Sequence, residues 1–278
     1  MDLLETRELR YFVAVAEALH FGRAAEQLGI AQPPLSRAIQ QLERRLGVTL
    51  LTRDRRGVTL TAAGEVLLAE AHATLEAVTA AAARTRRAGA GPDRLVLATK
   101  AGAHELLRKI LDAYAAEPGA VEVEVLMGGV GGQDQLLREG RADVALLQPP
   151  YNSLAGLDAE QLTTEGQIAV LPAEHPLAAR SSLTMADISD VPGLPMAQCP
   201  GTSSPGTGLE VRDLAHLSQL IALGRALAVK PESARAWLWG GHAAVPLLDA
   251  PPVATYLAWP AHSRSRTVAD FVRAATRI

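Results

Sequence analysis

Cysteine, an excess of positive charge and long apolar runs are all missing from this sequence, and each absence removes a class of protein. The single cysteine, Cys199, excludes an intramolecular disulfide framework and any cysteine-rich zinc or iron–sulfur cluster. No continuous apolar run approaches the roughly 18 residues that a bilayer-spanning helix needs, so no membrane is expected as a partner. The opening MDLLETRELR has no basic segment leading into an apolar core, so no signal peptide is expected and the cytoplasm is the expected location. A formal net charge of −3 gives no overall basic excess pointing at nucleic acid.

Enzyme signatures are missing as well. Gly128-Gly129-Val130-Gly131-Gly132 is glycine-rich but lacks both the lysine of a phosphate loop and the dinucleotide-binding spacing. The seven histidines are scattered without metal-ligand spacing. Gly201-Thr202-Ser203-Ser204 is not a nucleophile elbow, and Cys199 has no second cysteine to resolve an oxidised state. No catalytic residue, cofactor or metal is assigned, and an enzyme is not expected. What remains is a chain of 278 residues, 48% hydrophobic and 21% charged, which is ordinary globular composition and long enough for two domains.

The neutral total hides a local charge. Residues 32–60 carry six arginines (Arg37, Arg44, Arg45, Arg53, Arg55, Arg56) against Glu43 and Asp54, whereas residues 94–278 carry 15 basic and 19 acidic side chains. Around this basic segment the pattern is helical. Leu9, Phe12, Ala16 and Leu19 share a face, Phe21-Gly22 interrupts, and a short helix runs from Arg23 to Leu28, stopped by Gly29. A third helix opens at Gln32, where Pro33 and Pro34 fit a first turn whose N–H groups are unpaired anyway, and Gly47 ends it. Val48–Leu51 and Val58–Thr61 then read as a hairpin with a basic tip. Thr61 is placed to cap a long helix over 62–87, whose narrow stripe is Leu68, Ala71, Leu75, Val78 and Ala82. From Arg94 strands and helices alternate, which predicts parallel sheets with covering helices.

With Leu35, Ile39, Leu42 and Leu46 inward, the third helix presents Ser36, Arg37, Gln40 and Arg44 outward, with Pro33 and Pro34 beside them. Such a surface suits a major groove: glutamine and arginine offer paired hydrogen bonds to base edges, and the proline rings suit a thymine methyl. Arg53, Arg55 and Arg56 at the hairpin tip suit phosphates or the adjacent minor groove. Any small three-helix unit shows similar spacing; the local charge and the winged end favour DNA. The long helix cannot bury its stripe within its own small domain, so it either pairs with a second copy or packs on the α/β part.

The run LRYFVAVAEALHFGRAAEQLGIAQPPLSRAIQQLERRLGVTLLTRDRRGVTLTAAG resembles the N-terminal domain of LysR-type transcriptional regulators, and HELL, REGRADVALLQPP, VLPAEHPLAARSSLTMADI and LIALGRALAVKPESA extend the resemblance over almost the whole chain. The resemblance implies a winged helix-turn-helix (1–61), a linker helix and hinge for dimerisation (62–93), and a two-lobed α/β regulatory domain like a periplasmic binding protein (94–278). Its first lobe is expected at about 94–160 plus 263–278, and its second at about 161–262. It assigns DNA contacts to Gln32, Pro33, Pro34, Ser36, Arg37 and Arg53. The implied partners are double-stranded promoter DNA, a small-molecule effector, RNA polymerase and further copies of the chain, as a dimer or tetramer. Ala31 departs from the family's frequent serine cap, a loss of about 1 kcal/mol.

For the effector the resemblance points between the lobes, beyond the carboxyl ends of strands. Thr99 and Lys100, Gly128 and Gly129, and Gln148 fall there. Thr99 matches the family's effector hydroxyl, and Lys100 suits a carboxylate, although a solvent-exposed lysine is its other reading. Gln148 stands where many relatives have arginine. The stretch from Cys199 to Gly208 replaces a longer segment with a helix, a deletion of about twenty residues. An effector-independent regulator with a non-functional cleft is therefore the alternative.

Overall fold

A computed structural model of the chain describes residues 4–54, 57–89, 94–100, 103–129, 131–198 and 211–278. Arg55, Arg56 and the stretch from Cys199 to Gly208 lie outside the described residues. The chain divides into two compact units, Met1–Ala83 and Arg84–Ile278.

The first unit holds three short helices, a two-stranded wing and the greater part of a long helix. These are α1 (Thr6–Ala18), α2 (Phe21–Leu28), α3 (Gln32–Leu46), β1 (Leu51–Asp54), β2 (Gly57–Leu60) and α4 (Ala62–Ala88). One core unites them: Phe12, Val15, Phe21, Ala24, Leu35, Ile39, Leu42 and Leu50 are all buried. Phe21-Gly22 does not break the chain as the sequence reading expects. His20 caps α2 through Nδ1, which accepts from Gly22 N–H (3.1 Å) and Arg23 N–H (3.2 Å), so the helix starts at Phe21. Leu46, expected inside, is 38% exposed because Gly47 ends the helix one residue later.

Thr61 caps α4 as expected: its hydroxyl accepts from Gly64 N–H at 3.0 Å and donates to Thr49 carbonyl at 2.7 Å. Gly64 sits so close to the wing that a Cβ there would lie 2.2 Å from the Leu50 carbonyl oxygen. An 18-residue window of α4 reaches a mean hydropathy of 1.3, enough by length and composition alone to cross a membrane. Alanines raise an average that no continuous run reaches, and Glu70 and Glu76 interrupt it; a charged residue at a bilayer centre costs about 2.5–3.5 kcal/mol on insertion scales.

The second unit contains two sheets. The first has strand order β4-β3-β5-β10-β6, where β3 is Arg94–Thr99, β4 Glu122–Met127, β5 Val144–Leu147, β6 Leu157–Glu165 and β10 Val253–Pro260. Both faces of β3 are buried, which accounts for its unbroken apolar run. Leu95 and Leu97 pack with α5 (His104–Ala115) and α9 (Arg266–Ala275), where Tyr114 meets Phe271 edge-on at 5.0 Å. Val96 and Ala98 pack with α6 (Gln133–Arg138) on the other face. The second sheet, order β8-β7-β9, consists of β7 (Gln167–Pro172), β8 (Ala228–Pro231) and β9 (His242–Leu247). Helix α8 (Leu214–Ala222) covers one face through Leu217 and Ile221, and α7 (Met185–Ile188) covers the other through Ile188.

Two expectations change here. The sheets are not purely parallel: β10 runs antiparallel to β5 and β6, and every pairing in the second sheet is antiparallel. Strand β10, placed by sequence reading in the second lobe, belongs to the first sheet. Local periodicity shows that a strand exists but not which sheet it joins. The chain thus crosses between sheets twice, at Glu165-Gly166 between β6 and β7 and over residues 248–252 between β9 and β10.

Candidate functional site

The surface of α3 follows from its apolar stripe. Leu35, Ile39 and Leu42 are buried, and that leaves Gln32, Pro33, Pro34, Arg37 and Gln40 exposed together, with Ser36 half-buried at their edge. The helix opens at Ala31 without a side-chain cap, as expected. Its far end is tied down by a residue that sequence reading counted only as a charge. Glu43 Oε1 accepts from Leu50 N–H (2.8 Å) and Leu51 N–H (3.2 Å), fastening the wing to α3. Arg45, also counted as part of the basic segment, is instead paired with Glu8. The wing pairs Leu51 with Leu60 through Asp54 with Gly57, and Thr52 and Thr59 hydroxyls meet at 2.6 Å. Arg53 lies on β1 opposite Val58, near the tip.

In the second unit, a cavity of about 370 Å³ lies at the carboxyl ends of β3, β4 and β5, walled on the other side by α8 and β8. Of the residues expected there, Lys100, Gly128, Gly129 and Gln148 line it. Thr99 does not; it lies beneath, 1% exposed, and its hydroxyl has no hydrogen-bond partner among the described residues. The Gly128 N–H donates to the Thr99 carbonyl at 2.9 Å. A Cβ on Gly128 would lie 2.8 Å from the Gln133 amide nitrogen, so a larger residue there would require the Gln133 side chain to shift.

The polar side of the cavity is a connected network. Lys100 Nζ donates to Gln148 Oε1. Gln148 Nε2 donates to Thr255 Oγ1 (2.7 Å) and Glu165 Oε1 (3.4 Å), and the Gln148 N–H donates to Asn152 Oδ1 (3.0 Å). Burial first, then the positive charge of Lys230, push the Lys100 ammonium down to about 8, with Glu165 pulling the other way. The opposite wall is mainly apolar, with Leu214, Pro231, Ala234 and Trp237 beside Asp213, Lys230 and Ser233. A second cavity of about 260 Å³ adjoins, also lined by Lys100, Gln148 and Ser233, with Glu165 and Thr255. A half-buried cation facing a mainly apolar wall matches an organic anion with an apolar body. Sequence reading missed Lys230, Glu165 and Trp237. Lys230 and Ser233 did fall inside the quoted LIALGRALAVKPESA, but only folding brings them opposite Lys100. Among the described residues no group of three or more metal-ligating side chains occurs.

Comparison with known proteins agrees with this layout. Residues 6–65 match the bacterial regulatory helix-turn-helix protein, lysR family, and residues 89–277 match the LysR substrate binding domain. The chain is 36% identical over 197 residues to the HTH-type transcriptional regulator AlsR of Bacillus subtilis, an alignment covering 70% of this chain and 65% of AlsR. It is 32% identical over 287 residues to BudR of Raoultella terrigena, covering 97% and 99%. Among solved structures, full-length CbnR complexed with its target DNA superposes with a TM-score of 0.54 at 25% identity, covering 99% of each chain.

Proposed function

The chain belongs to the LysR family of bacterial helix-turn-helix regulators, and on that premise we propose that it is a sequence-specific DNA-binding transcriptional regulator controlled by a small-molecule effector held in the second unit. The observation that carries this reading is the exposed face of α3, which stands over a buried stripe with the wing locked beside it by Glu43. Gln32, Arg37 and Gln40 read base edges, Pro33 and Pro34 supply apolar contacts, and Ser36, Arg53, Arg55 and Arg56 hold phosphates or the adjacent minor groove. CbnR, which resembles the chain along its length, was captured on its target DNA.

Regulation, not catalysis, is the proposed role, and the cytoplasm its proposed place. Leu68 and Leu75 are half-exposed and Val78 is exposed on α4 in the single chain, and pairing with a second copy covers them. The resulting dimer, or a tetramer of two such pairs, presents recognition helices to half-sites about 34–36 Å apart or a multiple of it. The effector is an organic carboxylate, its acid at Lys100 and its body against Trp237. Its binding shifts the relative population of DNA-binding arrangements and hence DNA bending and polymerase contact. The formed cavity, with a half-buried cation opposite a mainly apolar wall, favours this over the effector-independent reading. A thermal-shift screen of organic acids, repeated on Lys100→Ala, tests it: hits that vanish in the variant support the effector reading, and a screen without hits favours the effector-independent one.

A further inference from the structure

Glu165 occupies an unusual position for a carboxylate. It is the last residue of β6, immediately before the chain leaves the first sheet for the second. Its carboxylate accepts from Ser233 N–H (2.5 Å) and Ser233 Oγ–H (3.0 Å), both from the segment that follows β8 in the second sheet. The same carboxylate accepts from Gln148 Nε2 of the first sheet, while the other end of that amide accepts from Lys100. Nearby, Glu232 N–H donates to Gly166 carbonyl at 2.9 Å, so the crossover and the start of the Glu232–Trp237 turn are held side by side. Glu165 is therefore a negative charge on the crossover strand, bonded to one lobe through Ser233 and to the cavity cation through one intervening amide.

We propose that Glu165 is a built-in counter-anion for Lys100, whose place the effector's carboxylate takes, and that this exchange loosens the tie between crossover strand and second lobe at Ser233. The inference rests on the effector reading above and specifies how that site is regulated. The electrostatics are direct. Lys100 is half-buried with Lys230 nearby, and Glu165 supports its charge. The other ionisable groups along the two cavities are His104, Glu105, Lys109, Tyr151 and Asp213. Lys109 is paired with Glu105 at 3.1 Å, and Asp213 caps α8 by accepting from His216 N–H at 2.8 Å, which leaves Glu165 as the carboxylate that shares Gln148 with Lys100. An arriving carboxylate that bonds the ammonium draws it from Gln148 Oε1 and faces Glu165 as a like charge. Gln148 Nε2 keeps Thr255 and Glu165 as acceptors, and repulsion between the two carboxylates weakens the hold on Ser233. Glu165 is a positioning residue: it acts on the effector through Lys100 and on the lobe through Ser233.

The test uses full-length protein, with sodium phenylacetate and sodium isobutyrate as probes, and compares wild type with Glu165→Gln and Glu165→Asp. Gln keeps an oxygen for Ser233 but removes the competing charge; Asp restores the charge. Glu165→Gln should bind the acids about 3- to 10-fold more tightly and Glu165→Asp close to wild type. The affinity loss on raising pH should begin at lower pH in Glu165→Gln, because the group that supports the Lys100 charge is gone. The DNA footprint of acid-free Glu165→Gln should move toward that of acid-bound wild type. Equal or weaker acid binding by Glu165→Gln, or an unshifted pH profile, overturns the proposal. If wild type binds neither acid, the carboxylate reading fails instead, and an acid-free Glu165→Gln footprint identical to wild type then overturns the latch independently.

Discussion

Replacing Thr99 with valine should raise stability, and its effect on effector affinity shows whether the buried hydroxyl serves the effector. The Thr99 hydroxyl is buried with no partner among the described residues. A buried polar group without a partner costs about 1–3 kcal/mol relative to one that is satisfied. Valine has nearly the same shape and suits a strand interior, so it removes the penalty without opening a cavity. The ligand-free variant should therefore be more stable than wild type by about 1 kcal/mol. If the hydroxyl serves the effector, binding instead loses one neutral hydrogen bond, about 0.5–1.5 kcal/mol, or roughly 2- to 12-fold. Trp237, Trp239 and Trp259 all lie in the second unit, so urea unfolding followed by tryptophan fluorescence reports the unit that contains Thr99. Calorimetry with an acid found by screening gives the affinity. A valine variant destabilised by 1 kcal/mol or more would refute the reasoning, since it would mean that the hydroxyl is already satisfied. Unchanged effector affinity would remove Thr99 from the site.

Three further outcomes are expected. Gly64→Ala should destabilise the first unit, because a Cβ 2.2 Å from a wing carbonyl forces backbone movement worth about 1–3 kcal/mol, only partly offset by about 1 kcal/mol of helix propensity; hydrogen exchange at the Phe12 and Ile39 amides measures it. Glu43→Ala should cost roughly 1.5–3 kcal/mol by stripping two wing N–H groups of a charged acceptor, and it should weaken binding to all DNA sequences alike as the wing loosens, which anisotropy on specific and random duplexes would show. Lys100 is pushed down to about 8 from an ordinary value of 10.5, so between those two pH values the unfolded chain holds a proton that the folded chain has released, and this group's contribution makes stability rise with pH. The stability advantage of Lys100→Met over wild type should accordingly shrink from pH 7 to pH 10, and an advantage that grows would show that the ammonium is stabilised where it sits.

The recognition helix was legible in the sequence because its physics is local. The spacing of Leu35, Ile39 and Leu42 settles which face turns inward, and the exposed set follows from it. Thr61 was legible for the same reason, as a cap depends on the residues just beyond it. His20 was missed because an imidazole nitrogen as helix cap is not among the usual capping side chains, and Gly22 looked like an interruption. Strand β10 was recognised as a strand but misplaced, since its partners β5 and β6 lie roughly a hundred residues away in the chain. The same distance hid the cavity network. Lys100, Gln148, Glu165 and Ser233 come from four separate elements, and no spacing between them encodes that Gln148 lies between a cation and an anion. Strand ends marked where the cavity would be; its opposite wall, from α8 and β8, required the fold.

Whether α3 reads DNA sequence is decided by selection of genomic fragments with the full-length protein, followed by footprinting, for wild type and Arg37→Ala. Wild type should enrich a small set of fragments sharing a two-fold symmetric site with half-sites about one helical turn apart or a multiple of it. Arg37→Ala should bind that site roughly 5- to 150-fold more weakly, the worth of one bidentate base contact at about 1–3 kcal/mol, while its binding to random DNA changes far less. Wild-type protein that enriches no site, or an arginine variant weakened equally on all sequences, would contradict it.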